Sequence, residues 1–98
     1  MGMFILTRRV GQAVLISNRV LLTLSEVGAV DVELAMVDHT QGQAFSIRLG
    51  LGESTEIGSN VRIALTNILP GPQANLGFEG PAGTTFHRKE VLDSMRSG

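Results

Sequence analysis

The chain has 98 residues, the size of one ordinary domain, and its 43% hydrophobic and 17% charged residues are typical of a folded protein. The absence of cysteine excludes disulfides, zinc–thiolate sites and thiol catalysis. The net charge of −1 excludes a uniformly basic nucleic-acid binder. No apolar run approaches the roughly 18 residues of a transmembrane helix, and the first residues do not resemble a secretory signal, so we expect a soluble cytoplasmic protein without a membrane partner.

Short β-strands dominate the predicted secondary structure. Apolar and polar residues alternate with the period of two of half-buried strands, and turns containing glycine or proline separate the alternating segments. The predicted strand segments are 4–17 with a break at Arg8–Gly11, 20–25, 30–36, 45–49, 61–66, 76–78 and 84–86. Only the tail His87–Met95 places apolar residues at helical spacing, which predicts one short C-terminal helix. We therefore predict an all-β fold in which residues 1–98 form a single domain.

Cationic residues are concentrated toward the two ends of the chain. Residues 1–25 hold three arginines and no acid, residues 26–56 hold six acids and one arginine, and residues 57–98 hold four cations and three acids. A fold that brings the two ends together would give this nearly neutral protein one basic face. The simpler alternative is that these charges are scattered over a solvated surface.

The sequence contains an internal repeat at a spacing of 41 residues. One extra residue near Pro70 then shifts the alignment. The identical pairs are Phe4/Phe45, Gly11/Gly52, Ile16/Ile57, Val20/Val61 and Leu24/Leu65. Two copies of one strand unit, residues 4–38 and 45–81, explain these pairs better than the chance similarity of alternating strands. The C-terminal strand and helix, residues 84–96, follow the second copy.

The two copies differ at charged positions. The first copy contains Thr7-Arg8-Arg9 before its glycine, whereas the second contains Arg48-Leu49-Gly50. Only the second copy is followed by the basic segment Phe86-His87-Arg88-Lys89-Glu90, because the first ends in Val37-Asp38-His39. Each copy has therefore kept one half of a candidate cationic site.

At these residues the sequence resembles the carbon storage regulator family, also called repressors of secondary metabolism. The opening segment Phe4–Gln12 resembles the family's start, Leu-Ile-Leu-Thr-Arg-Arg-x-Gly-Glu. The segments Gln73–Pro81 and Phe86–Val91 are similar to its ending, Gln-Val-Arg-Ile-Gly-Val-x-Ala-Pro followed by Val-His-Arg-x-Glu-Ile. Together these segments cover about half of the chain, and the opening match is the more specific one.

This resemblance implies an RNA-binding regulator without a cofactor. Members of the family form intertwined homodimers and bind GGA-containing loops in mRNA leaders, which changes translation or message stability. Each of their RNA sites joins the first strand of one subunit to the last strand of the other. Carried over by position, the site of this chain comprises Leu6, Thr7, Arg8, Arg9, Gly80, Pro81, Phe86, His87 and Arg88. The implied partners are messenger RNA, small regulatory RNA and a protein antagonist.

The duplication departs from the family pattern. It implies a single-chain pseudo-dimer, a small antiparallel β-sandwich or barrel-like fold of two repeated strand units, with one complete RNA site built from the chain ends. Leu49 and Gly50 replace the arginines at the second site and Asp38 replaces the proline, so we expect that site to be missing or weak. Exposed sheet edges leave both a monomer and a homodimer open.

Arginine suits recognition of guanine because its planar guanidinium donates two hydrogen bonds, to O6 and N7. Arg88 is therefore the candidate for a contact beside guanine. The alternation of side chains along a strand predicts that only one of Arg8 and Arg9 faces the RNA. In the alternative interpretation, all three arginines are exposed charges on sheet edges, where they discourage aggregation.

Other residues and functions have competing interpretations. His87 and His39 lack the spacing of metal ligands, so we expect a structural, hydrogen-bonded His87. Leu6, Phe78 and Phe86 suit stacking on bases or flanking them, but apolar residues of a small β domain usually belong to its core. The sequence has no nucleophile–base pair or phosphate-binding glycine loop, and predicts no enzymatic activity. The competing function is a protein-interaction module, a degenerate family member that titrates another regulator.

Overall fold

Within residues 3–58 and 60–90, which the computed structural model describes, nine β-strands form two antiparallel sheets. In chain order the strands are β1 (Phe4–Arg9), β2 (Ala13–Ile16), β3 (Val20–Val27), β4 (Asp31–Asp38), β5 (Gln43–Gly50), β6 (Ser54–Ile57), β7 (Val61–Leu69), β8 (Gln73–Glu79) and β9 (Phe86–Arg88). Sheet A has the strand order β1-β8-β7-β6, and sheet B has the order β5-β4-β3-β2-β9. The predicted all-β class is confirmed.

Three details of the strand pattern differ from the prediction. The break expected at Arg8 starts only after Arg9, because both arginines pair with β8 in regular register. The assignment of His87 and Arg88 to a helix is wrong, because both pair with β2 as part of β9. Of the remaining predicted helix, Lys89 and Glu90 have helical backbone, and residues 91–95 lie outside the described residues. The sequence analysis also missed β6, because its segment Ser-Thr-Glu-Ile is short and mostly polar.

Each half of the chain contributes its first strand to the sheet of the other half. Strand β1 pairs with β8, from Phe4 opposite Phe78 to Arg9 opposite Gln73. Strand β5 pairs with β4 in the same antiparallel manner. The two halves are therefore intertwined, and neither sheet can form from one half alone.

The turns of the two halves follow the same backbone path. The Gly11 N–H donates to the carbonyl oxygen of Leu24 at 2.8 Å, and the Gly52 N–H donates to that of Leu65 at 2.9 Å. Both glycines adopt left-handed conformations, with φ of 93° and 84°. The strand register is interrupted immediately after Leu24 in β3 and immediately after Leu65 in β7. The same turn and the same bulge are therefore built twice.

The hydrophobic core lies between the sheets and consists of the inward-facing residues of the alternating strands. Its largest fully buried side chains are Val14, Leu22, Leu24, Val32, Leu34, Met36, Ile63, Leu65, Leu76 and Phe78. Burial of one such side chain stabilises a fold by roughly 1.5–3 kcal/mol. In the described part of the chain, every buried side-chain nitrogen or oxygen atom has a hydrogen-bond partner. That part also contains no helix long and apolar enough to cross a membrane.

Candidate nucleic-acid interface

The two ends of the described chain meet where β1, an edge of sheet A, lies against β9, an edge of sheet B. We call this junction the terminal seam. The ring of Phe86 in β9 lies 6.2 Å from that of Phe4 in β1 and 5.2 Å from that of Phe78, measured between centroids. An aromatic cluster therefore joins β1 to β9 at one end of the seam, and the Arg8–Glu90 ion pair joins them at the other.

The ion pair joins Arg8 in β1 to Glu90, just after β9. The guanidinium donates to both carboxylate oxygens of Glu90, at 2.8 and 2.9 Å. It also donates to the carbonyl oxygens of Thr7, at 2.8 Å, and of Ala13, at 3.2 Å. The Arg8 side chain is only 3% exposed. Every nitrogen of this guanidinium is occupied within the protein, so Arg8 holds the seam together and is not presented to a ligand.

The same pair determines the charge of Glu90. The hydrogen bonds from Arg8 lower the pKa of the Glu90 carboxyl from 4.5 to about 2, against a smaller opposing effect of burial. The nearby charge of Arg88 lowers it further. Glu90 is therefore ionised at neutral pH, and the pair is a full ion pair there.

The remaining predicted site residues divide by exposure. The side chains of Thr7, Arg9, Pro81, His87 and Arg88 are exposed, whereas Leu6, Gly80 and Phe86 are half-buried. Leu6 and Phe86 pack against the hydrophobic core, so only part of each side chain is open to a ligand. The Thr7 hydroxyl donates to the side-chain oxygen of Asn75 at 2.7 Å. The seam thus presents polar and cationic groups beside two apolar edges.

The arginines that form no ion pair in residues 3–58 and 60–90 lie at this seam. Elsewhere in that part of the chain arginine and carboxylate charges balance locally, in the pairs Arg19–Asp38, Arg48 with Glu26, Asp31 and Glu33, and Arg62–Glu56. Arg9 and Arg88 are exposed without such a partner. Among the described residues, the terminal seam is therefore where arginine charge is exposed without a carboxylate ion pair.

A groove of about 820 Å³ lies beside the seam, at the end of sheet A. The turn before β9 forms part of its wall, where the Thr84 hydroxyl and N–H both donate to the carbonyl oxygen of Pro81, at 2.7 and 3.1 Å. The lining residues are Phe4, Glu56, Asn60, Arg62, Phe78, Glu79, Gly80, Pro81, Thr84 and Phe86. Aromatic rings suit the face of a base and carboxylates accept hydrogen bonds from base amino groups, so the groove can hold an unpaired nucleotide.

No protein-family model matches the chain, and no solved structure matches it. In the described part of the chain, no three His, Asp or Glu side chains are placed to hold a metal ion. The chemistry of the terminal seam is therefore the basis for assigning a function.

The sequence analysis missed Phe4, Asn60 and the burial of Arg8. Phe4 lies two residues before Leu6 on the same face of β1, and this alternation was a usable signal for it. Asn60 follows β6, and because β6 itself was not predicted, no pattern pointed to it. The counterpart of Arg8 at a spacing of 41 residues is Leu49, which is also only 3% exposed. An apolar residue at the equivalent position of the second copy was therefore the signal in the sequence that this position faces the core.

Proposed function

We propose that the protein is a post-transcriptional regulator that binds unpaired GGA-containing loops of mRNA leaders at the terminal seam. The observation that carries this proposal is that Arg9 and Arg88, two exposed arginines that form no ion pair among the described residues, lie on the two edge strands that make up the terminal seam. The resemblance of the two chain ends to the carbon storage regulator family supports the same function. The seam is also the place where that family joins a first strand to a last strand.

Different residues of the seam have different roles in this proposal. Arg88 donates to the O6 and N7 edge of a guanine, and Arg9 contacts the phosphate backbone. Phe86 and Pro81 flank an unstacked base at the groove. Arg8 contacts no RNA, because its guanidinium is already engaged by Glu90. It is a positioning residue that fixes β9 beside β1.

We further propose that the chain is a pseudo-dimer with one complete RNA site. The exchange of β1 and β5 between the halves and the repeated glycine turns support a duplicated origin. The second set of positions lacks the required chemistry. Leu49 is buried where Arg8 stands in the first copy, and Asp38 is paired with Arg19 at 3.8 Å. One RNA loop per chain is the expected stoichiometry.

Titration of an RNA hairpin with a GGA loop, followed by fluorescence anisotropy and native mass spectrometry, tests this function. We expect one hairpin per chain and a loss of affinity when the loop is changed to CCA. Arg88→Ala should weaken binding about tenfold or more, since a two-bond contact with guanine contributes roughly 1–3 kcal/mol. Arg48→Ala, which removes a half-exposed arginine already paired with Glu26, Asp31 and Glu33 and lying outside the groove, is the matched control. Equal affinity for GGA and CCA loops would overturn the proposal, and binding of a related regulator instead of RNA would favour an interaction module.

A further inference from the structure

The outer edge of β6 corresponds to the edge of β2 that pairs with β9. Strand β6 lies 41 residues after β2, and each pairs on one side with the strand that follows it, β7 or β3. On its other side β2 pairs with β9, whereas β6 is the last strand of sheet A among the residues that the structure describes. The first copy turns directly from β4 into β5 and has no strand equivalent to β9.

The backbone of β6 is arranged like that of β2. Just after β2, the Ser17 N–H donates to the carbonyl oxygen of Thr85 at 2.8 Å, and Leu15, two residues earlier in β2, lies opposite His87. Alternate residues of a strand direct their backbone groups to the same side. The counterparts, Glu56 and Gly58, therefore direct theirs away from β7. Gly58 also shares the left-handed conformation of Ser17, with φ of 59° against 52°.

The residues that Phe86 of β9 contacts also have counterparts beside β6. Phe86 lies opposite Ile16 of β2 and packs against the rings of Phe4 and Phe78. In the other copy, Ile57 corresponds to Ile16, Phe45 to Phe4 and Met36 to Phe78. Phe45 pairs with Met36 as Phe4 pairs with Phe78. Phe45 is 46% exposed. Met36 is only 1% exposed, so a further aromatic side chain would contact mainly the exposed ring of Phe45.

The charge of this edge disfavours a phosphate backbone and favours a basic peptide. The positions of Arg8 and Arg9 are held by Leu49 and Gly50, so the cations of the terminal seam have no equivalents. The exposed carboxylate of Glu56 takes the position that Leu15 has opposite His87. A phosphate backbone would be repelled here, whereas a basic side chain opposite Glu56 would form a cross-strand pair.

We propose that the outer edge of β6 binds an extended segment of a partner protein as an added strand. The segment carries an aromatic residue opposite Ile57 and a basic residue opposite Glu56, in the register that β9 takes on β2. Main-chain hydrogen bonds supply the general affinity, and the aromatic and basic side chains supply the selectivity. This site shares Glu56 with the groove beside the terminal seam, but the proposal does not depend on RNA binding.

The probe is a peptide with the sequence of residues 84–89 in which lysine replaces the histidine, Thr-Thr-Phe-Lys-Arg-Lys, so that a cation lies opposite Glu56 in the register of β9. It is titrated into the intact, isotope-labelled protein. We expect amide shifts in β6, at Gly58 and at Phe45, and no change at β2. Replacing the peptide's phenylalanine by alanine should weaken binding about tenfold, as expected for loss of a packed aromatic anchor.

Two charge reversals of the protein separate a specific edge contact from general attraction. Glu56→Lys should weaken the peptide roughly fivefold, because an opposite-charge cross-strand pair becomes a like-charge pair. Glu26→Lys is the control, since Glu26 is 62% exposed against 61% for Glu56 and each accepts from an arginine at 3.3 Å. Shifts confined to β2 would show that the peptide displaces β9, and would overturn the proposal. Equal effects of the two reversals, or occupation of β6 by a second copy of the chain, would overturn it as well.

Discussion

Arg8 and Glu90 are 82 positions apart in sequence, and their side chains form two parallel hydrogen bonds of 2.8 and 2.9 Å. This ion pair connects the strand that opens the described chain to the residues that close it. Two-point pairing of a guanidinium with a carboxylate fixes orientation as well as distance. The ion pair therefore aligns β9 with β1 and determines where Arg88 stands relative to Arg9.

Removing the carboxylate should disturb the terminal seam without removing a cation. We expect Glu90→Gln to speed amide hydrogen exchange in β9 and to weaken binding of the GGA hairpin several-fold. The physical reason is that Arg8 loses its charged partner and β9 is no longer held against β1. Glu56→Gln, which alters an exposed carboxylate at 3.3 Å from Arg62, is the control and should leave exchange in β9 unchanged. Unaltered exchange in both variants would contradict the role assigned to Arg8.

The stability of the protein should fall in acid partly through this pair. The pKa of Glu90 is lowered from 4.5 to about 2 by Arg8, so its contribution is fully present above about pH 4.5 and is lost as the pH falls toward 2. Because the Glu90 side chain is 47% exposed, solvent screening keeps this contribution small. Urea unfolding of the wild type and of Glu90→Gln at several pH values measures it. The two proteins should differ at pH 7 and converge near pH 2, and a constant difference would exclude Glu90 as its source.

The strand pattern could be predicted from sequence because most strands alternate apolar and polar residues. Strand β4, with Val32, Leu34 and Met36 facing the core, is the clearest example. The burial of Arg8 could not be predicted from its own segment, since its partner Glu90 lies at the other end of the chain. An arginine on a short strand is expected to be exposed at a sheet edge unless a carboxylate partner from a distant part of the chain is known. Strand β6 lacked an apolar pattern, and only its correspondence with β2 could have revealed it.

Arg8→Leu and Leu49→Arg, which give each copy the residue of the other, should lower the free energy of unfolding by different amounts. Arg8 and Leu49 are counterparts, and each is 3% exposed. Leu49→Arg places a charge in the core without a carboxylate partner and should cost roughly 3 kcal/mol or more. Arg8→Leu should cost less, because the half-exposed Glu90 can be rehydrated and leucine is already accommodated at the counterpart position. Chemical denaturation measures both, and equal losses would show that the two environments are not equivalent.

The two glycine turns should respond alike to substitution. An added Cβ at Gly11 or Gly52 meets no heavy atom within 4 Å, so the cost of alanine comes from the left-handed backbone alone. We expect each variant to lose about 1–2 kcal/mol of unfolding free energy. Ser17→Gly is the control with the opposite sign, because Ser17 has φ of 52° and its counterpart Gly58 is already glycine. It should be neutral or slightly stabilising, and a loss as large as that of Gly11→Ala would contradict this explanation.

The salt dependence of RNA binding should be shallow, because few cations at the terminal seam are free of carboxylate partners. Binding to a single strand changes with salt by a log–log slope of roughly −0.7 for each phosphate neutralised, so contacts from Arg9 and Arg88 predict a slope of about −1 to −2. Arg9→Ala should make the slope shallower by about 0.7 without altering the preference for GGA, since Arg9 contacts phosphate in the proposed site. Arg88→Ala should reduce that preference, since Arg88 reads the base. Affinities of GGA and CCA hairpins measured at several salt concentrations distinguish the two roles. A wild-type slope as steep as about −5 would require a much larger basic surface than the terminal seam provides.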